Sequence, residues 1–185
     1  KPALVQRLAQ AGVLVSLGHS DASCEEARAA LSAGARAFTH LFNAMSQMTG
    51  REPGMAGAAL ADAESFTGII ADGHHVHDAA LKVAFAAKDA DRMMLITDAM
   101  PTAAGGPDHF ELQGRTVRRE NGRLSLADGT LAGSDLTMDA AVRYCVERLD
   151  LPLGTVLRMA SLSPAAFLRR EHELLAVSVP QIEVG

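Results

Sequence analysis

The chain is expected to adopt a parallel α/β fold, and three observations predict it. Four short apolar runs, VLVSL (13–17), ARAFT (35–39), SFTGIIA (65–71) and RMMLIT (92–97), are near-continuous rather than alternating. Runs of that kind suit strands covered on both faces, the usual state of a parallel sheet. Helical segments fall between most of them, at the spacing of βα units. At 185 residues, 48 % of them apolar, the chain is the size of one domain and can bury a core.

The elements follow in order. PALVQRLAQAG reads as the end of a helix stopped at Gly12. A chain that opens on Lys1 and on such a helix is expected to be part of a longer protein. After the first run, SCEEARAALSAG (23–34) reads as a helix with Ser20, Asp21 or Ser23 as N-cap, early glutamates and a stop at Gly34. The second run opens FTHLFNAMSQMTGREPG (38–54), which turns into a loop punctuated by glycine and proline. Gly50, Pro53, Gly54 and Gly57 are expected to shape that loop, and Met45 and Met48 to be packing residues. DAALKVAFAAKD (78–89) is a helix. The texture changes after Asp98: HFELQGRTVRRENGRLSLADG (109–129) carries turn signals at Gly114, Asn121-Gly122 and Asp128-Gly129, the pattern of a β-hairpin excursion. Helices resume in LTMDAAVRYCVERL (136–149), with Ser134 or Asp135 as N-cap, and in PLGTVLRMASLSPAAFL (152–168).

A formal net charge of −5 and no Lys/Arg-rich run argue against nucleic acid as a partner. No apolar run approaches the ~20 residues of a membrane span, and the opening residues are not expected to be a signal peptide. Cys24 and Cys145 lie far apart without a paired-cysteine motif and read as buried small hydrophobes, which fits a reducing, cytoplasmic setting.

The chemistry gathers where the strands end. The first run leads into Gly18-His19-Ser20, the second into Thr39-His40, the third into Asp72-Gly73-His74-His75 and the fourth into Thr97-Asp98. The C-terminal ends of parallel strands are where α/β enzymes, and (β/α)8 barrels above all, build active sites. Neutral imidazoles at His19 and His40 suit zinc or iron, and Asp98 suits a general base acting on water beside the metal. Taken alone, these residues point to a metal-assisted hydrolase.

LGHSDAS, FTHLFNAM, GREPGMAGA, IIADGHHV, LITDAM and DGTLAGSDLTM, read together and in order, resemble the signature blocks of N-acetylglucosamine-6-phosphate deacetylases of the amidohydrolase superfamily. The resemblance implies about the second half of a TIM-type (β/α)8 barrel over residues 1–168, four parallel strands with flanking helices and a β-hairpin insertion, followed by a divergent tail at 169–185. It implies removal of the acetyl group from N-acetylglucosamine-6-phosphate to give glucosamine-6-phosphate and acetate. It also implies one divalent metal ion, zinc or iron, held by His19, His40 and a glutamate expected upstream of this chain, with Asp98 as the catalytic acid/base. Asn43, Ala44, Arg51, Asp72, Gly73, His74, His75, Leu131, Ala132 and Gly133 match substrate-binding positions. Of these, Arg51 is the phosphate grip and His75 the working histidine of its stretch. A cytoplasmic homo-oligomer, a dimer, is implied for the complete enzyme.

The glutamate ligand, the earlier strands, a further histidine and a small β-domain of the family have no match here. Other amidohydrolases, acting on a cyclic amide or a purine, and a catalytically inactive fragment or scaffold remain the alternatives. Alone, the chain is expected to form an open half-barrel that binds metal poorly, shows little or no turnover, leaves apolar faces of VLVSL and RMMLIT uncovered, and self-associates, or binds its missing half, through its open edges and those faces.

Overall fold

The computed structural model describes residues 1–175. The part of the 169–185 tail from 176 onward lies outside the described residues. Helix α1 (Pro2–Gln10) leads into β1 (Ser16–Leu17), α2 (Cys24–Ser32), β2 (Ala37–Phe38), α3 (Gly54–Ala61), β3 (Phe66–Ile69), α4 (Asp78–Ala87) and β4 (Met93–Leu95). The four strands pair in parallel in the order β1-β2-β3-β4, with Ser16 against Ala37, Ala37 against Phe66 and Thr67 against Met93. This is an open stretch of (β/α) barrel, as the sequence predicts, and it does not close.

The period-2 alternation of side chains sorts the sheet into two faces. Phe38, Ile69, Met93 and Leu95 join the main core with Leu60 of α3 and Leu81 and Ala84 of α4. Ala37, Phe66 and Met94 face the other way.

One expectation is corrected here. RMMLIT is not left uncovered: Met93, Met94 and Leu95 are all buried. Helix α6 (Leu153–Ala160) brings Val156 and Met159 into the main core. Helix α7 (Leu162–Leu168) lays Phe167 against Phe66 on the opposite face, ring centroids 5.6 Å apart. The exposure lies at the β1 end instead, where Val13 is 47 % accessible.

The segment around Pro53 is also corrected. It is not all loop: α3 buries every residue from Gly54 to Leu60. A helix with no polar stripe is apolar all round, so amphipathic periodicity cannot reveal it, and two glycines lower its propensity further. Gly57 lets the helix close on its own entrance, because a Cβ there would sit 2.4 Å from Pro53 Cβ.

Ser23 is the N-cap of α2 in a full capping box with Glu26. For α5 (Met138–Glu147) the N-cap is Thr137, not Ser134 or Asp135. Ser134 is occupied elsewhere, as shown below. The hairpin excursion is a three-stranded antiparallel sheet, β5 (His109–Leu112), β6 (Arg115–Glu120) and β7 (Arg123–Ser125). Its turns fall at Gln113-Gly114 and Asn121-Gly122, both residues of each at positive φ. The 152–168 segment is split in two at Ser161, and a short α8 (Glu171–Leu175) follows α7.

Candidate active site

His19, His40 and Asp98 all lie just beyond strand ends, and all three adopt left-handed backbone, with φ of 47°, 34° and 52°. Non-glycine residues seldom do so, and such positions concentrate at functional sites. The two histidines meet. Their Nε2 atoms are 2.9 Å apart and their rings pack edge-on at 75°. His40 is buried and its Nδ1 has no hydrogen-bond partner among the described residues.

Neighbouring backbone fixes this meeting. The Leu41 N–H donates to the Gly68 carbonyl across β3, and the Asn43 N–H to the His40 carbonyl. Asn43 also donates through Nδ2 to the Leu41 carbonyl, so its side chain closes the turn it sits in. The Ala44 carbonyl accepts from Ser20 N–H, tying the loop after β2 to the loop after β1.

The histidine pair fits two corners of a metal site. Zn–N bonds of 2.0–2.1 Å at a tetrahedral angle separate two ring nitrogens by ~3.3 Å, slightly more than is found. Among the described residues no group of three His, Cys, Asp or Glu side chains is placed to hold a metal, so Asp98 does not complete the set.

Asp98 is brought together with the Leu131–Gly133 segment. The Ser134 N–H donates to the Asp98 carbonyl and the Met100 N–H to the Ser134 carbonyl, while the Ser134 hydroxyl donates to the Thr97 carbonyl. Gly133, at φ +71°, lies so close that a Cβ would be 2.3 Å from Met100 Cγ and 3.2 Å from the Asp98 carbonyl oxygen. Leu131 bridges to Ser125, and Ala132 is buried in the core of the small sheet. Arg119 anchors that sheet, donating to the Thr102 carbonyl and pairing with Asp108 and Asp135.

Residues 72–75 fold on Asp72. Its Oδ1 accepts from the His74 and His75 N–H groups and its Oδ2 lies 2.7 Å from His75 Nδ1. Burial pushes the Asp72 carboxyl up, but the His75 ring and the two backbone donors outweigh burial and hold it below the usual range. Gly73, at φ +74°, packs on Tyr144 of α5, and the Tyr144 hydroxyl donates to Asp78 at the start of α4. Burial first, and then Asp78, push that phenol up to about 12. His74 is exposed, with the Gly122 turn of the small sheet beside its Nε2.

Arg51 is exposed and enters no ion pair among the described residues. Its neighbour Glu52 holds the loop. Oε1 accepts from Cys24 N–H at 2.8 Å, at the start of α2, and from Gly54 N–H at 3.0 Å. The Glu52 carbonyl accepts from Thr49 N–H and hydroxyl. The two backbone donors hold the Glu52 carboxyl below its usual range. Met48, read as a packing residue, is 54 % accessible; it lines a cavity of about 550 Å³ with Phe42, His75 and Val83. Met45 is buried, as expected.

Sequence reasoning missed Glu52 and Tyr144, and read Ser134 only as an N-cap candidate. A capping pattern could have flagged Glu52, which stands directly after Arg51. Tyr144 meets Gly73 across 71 residues, a contact no local pattern signals.

Parallel strands that end in paired histidines, with an aspartate after the strand two positions further on, are those of a half-barrel of the amidohydrolase kind. No protein-family profile matches the chain. It is 44 % identical over 169 residues to N-acetylgalactosamine-6-phosphate deacetylase of Shewanella sp. (strain ANA-3), covering 91 % of this chain and 43 % of that one. It is 45 % identical over 130 residues to an Escherichia coli (strain K12) protein provisionally named N-acetylgalactosamine-6-phosphate deacetylase, covering 70 % of this chain and 77 % of that one. The crystal structure of N-acetylglucosamine-6-phosphate deacetylase from Pasteurella multocida superposes with a TM-score of 0.91 at 35 % identity, covering 96 % of this chain and 47 % of that one. The chain belongs to the N-acetylglucosamine/N-acetylgalactosamine-6-phosphate deacetylase family. It spans less than half the length of the Shewanella and Pasteurella proteins.

Proposed function

We propose that this chain is the metal-histidine half of a deacetylase that hydrolyses the acetamide of N-acetylglucosamine-6-phosphate to glucosamine-6-phosphate and acetate. The observation that carries the reading is the convergence of the His19 and His40 Nε2 atoms, 2.9 Å apart, at the C-terminal ends of parallel strands. A divalent ion, zinc or iron, bound by this pair and by a donor from outside the described residues supplies Lewis acidity toward water and the acyl oxygen.

Asp98 accepts a proton from the attacking water as the C–O bond forms, then delivers it to the amine nitrogen as the C–N bond breaks. Arg51 grips the phosphate, His75, oriented by Asp72, contacts the sugar phosphate, and the Asn43-Ala44 turn and Leu131–Gly133 border the sugar. Binding energy from the phosphate thereby orients the amide. The complete enzyme is a cytoplasmic dimer in this reading. Among the described residues no helix is long and apolar enough to cross a membrane.

The test is a chimera in which this chain replaces the matched part of the Shewanella relative. Acetate release is followed from N-acetylglucosamine-6-phosphate, its galacto epimer and the unphosphorylated sugars. Preferred turnover of the phosphorylated gluco sugar supports the reading. Preference for the epimer corrects the sugar. A folded, metal-loaded chimera inactive on all four overturns the reading.

A further inference from the structure

We propose that the N-terminal end of the sheet, opposite the candidate active site, carries a separate anion-binding site, built from Arg28, Arg36 and Arg92, that takes a small phosphate- or carboxylate-bearing molecule. Arg36, Ser65 and Arg92 stand immediately before β2, β3 and β4, at the N-terminal ends of the strands whose other ends carry His40, Asp72 and Asp98. With Arg28 of α2 and the acidic Asp62 and Glu64, they line a cavity of about 470 Å³.

The guanidinium groups are short of acceptors. Arg36 Nε and Arg92 Nε are buried with no hydrogen-bond partner among the described residues. Arg28 and Arg36 enter no ion pair among those residues. Among the described residues Arg92 reaches only the Asp91 carbonyl at 3.5 Å and the Glu64 carboxylate at 4.0 Å as hydrogen-bond or ion-pair acceptors. A buried donor left unpaired is costly and calls for a partner. The Asp62 carboxylate is already engaged: its Oδ1 accepts from Glu64 N–H at 3.2 Å and Ser65 N–H at 2.7 Å. Behind it the buried Lys88 Nζ donates to the Ala59 and Asp62 carbonyls and to Ser65 Oγ, adding a fourth cation against two carboxylates.

The arginines are also oriented. Arg92 Cζ lies 4.8 Å and Arg36 Cζ 6.0 Å from the centroid of the Phe66 ring, contacts that limit the freedom of both side chains. Guanidinium groups held in this way suit the planar, bidentate recognition of carboxylate or phosphate oxygens.

The test uses the 185-residue chain, with inorganic phosphate and, separately, acetate titrated while the arginine Nε–H resonances are followed by NMR. Saturable shifts of the Arg36 and Arg92 signals are expected. The affinity read from the Arg92 signal should weaken roughly tenfold, the effect of losing one charge-assisted hydrogen bond, in Arg36→Gln and in Arg28→Gln, and be unchanged in Arg51→Ala. Arg28 is exposed on α2, so its replacement leaves the core intact and the test valid if Arg36→Gln does not fold. The tighter of the two anions identifies the ligand chemistry. No saturable shift with either anion overturns the proposal. So does binding that survives Arg28→Gln and Arg36→Gln but disappears in Arg51→Ala. So does concentration-dependent association through these arginines without anion binding.

Discussion

Replacing Gly73 by alanine tests how the substrate-side stretch is held. The perturbation has two parts. Gly73 sits at φ +74°, where a Cβ costs ~1–2 kcal/mol. The new methyl would also lie 2.6 Å from the Tyr144 oxygen and 3.1–3.2 Å from two of its ring carbons. Overpacking of that kind costs ~1–3 kcal/mol, while the reduced freedom of the unfolded chain returns ~0.4–1 kcal/mol. The net expectation is a destabilisation of roughly 2–4 kcal/mol, or a displaced Tyr144 that loses its hydrogen bond to Asp78. Urea unfolding of the wild-type chain, Gly73→Ala and Gly73→Ala/Tyr144→Ala reads the effect. The double variant should recover the steric part and keep the backbone part. A Gly73→Ala chain within ~0.5 kcal/mol of wild type would refute the packing of this stretch on α5.

Three further outcomes are expected. Asp98→Asn in the complete chimera should leave metal content intact and lower kcat by about 10²–10⁴-fold; near-normal kcat removes Asp98 from the chemistry. Arg51→Ala should raise KM for the phosphorylated sugar by roughly tenfold to a hundredfold while sparing the unphosphorylated one, and Glu52→Ala should follow the same pattern more weakly, with Glu52→Gln closer to wild type. Equal losses on both sugars would make that loop merely structural. Burial pushes the Lys88 ammonium down to about 8, with the Asp62 charge opposing. Between that value and the ordinary ~10.5 the unfolded chain holds more protons than the folded one, so stability should rise with pH across that window, and Lys88→Met should flatten the slope in urea titrations.

Much of this architecture is legible in the chain itself. Continuous apolar runs gave the four parallel strands, and the residues placed just past each run gave the rim, because register and period put strand ends together. The His19–His40 meeting follows from that logic. What escaped has physical reasons. Helix α3 is buried on every side, so it shows no amphipathic stripe. The cover of RMMLIT by α6 and α7 comes from 60 or more residues downstream and depends on packing, not on local pattern. Tyr144 behind Gly73 and the Arg28, Arg36 and Arg92 cluster are likewise juxtapositions that the fold makes between distant segments. The left-handed φ of His19, His40 and Asp98 is not legible in the sequence because His and Asp are enriched in that region without being committed to it.

The most direct measurement compares the chain alone with the chimera for two quantities, bound metal per chain and acetate released from N-acetylglucosamine-6-phosphate. The chain alone should hold metal below one equivalent and release no acetate, since two histidines are one donor short of the usual three protein ligands. The chimera should hold one equivalent and turn over, and should lose both on His19→Ala or His40→Ala. Full metal occupancy and normal turnover by the chain alone, or a chimera indifferent to both histidines, would contradict the account.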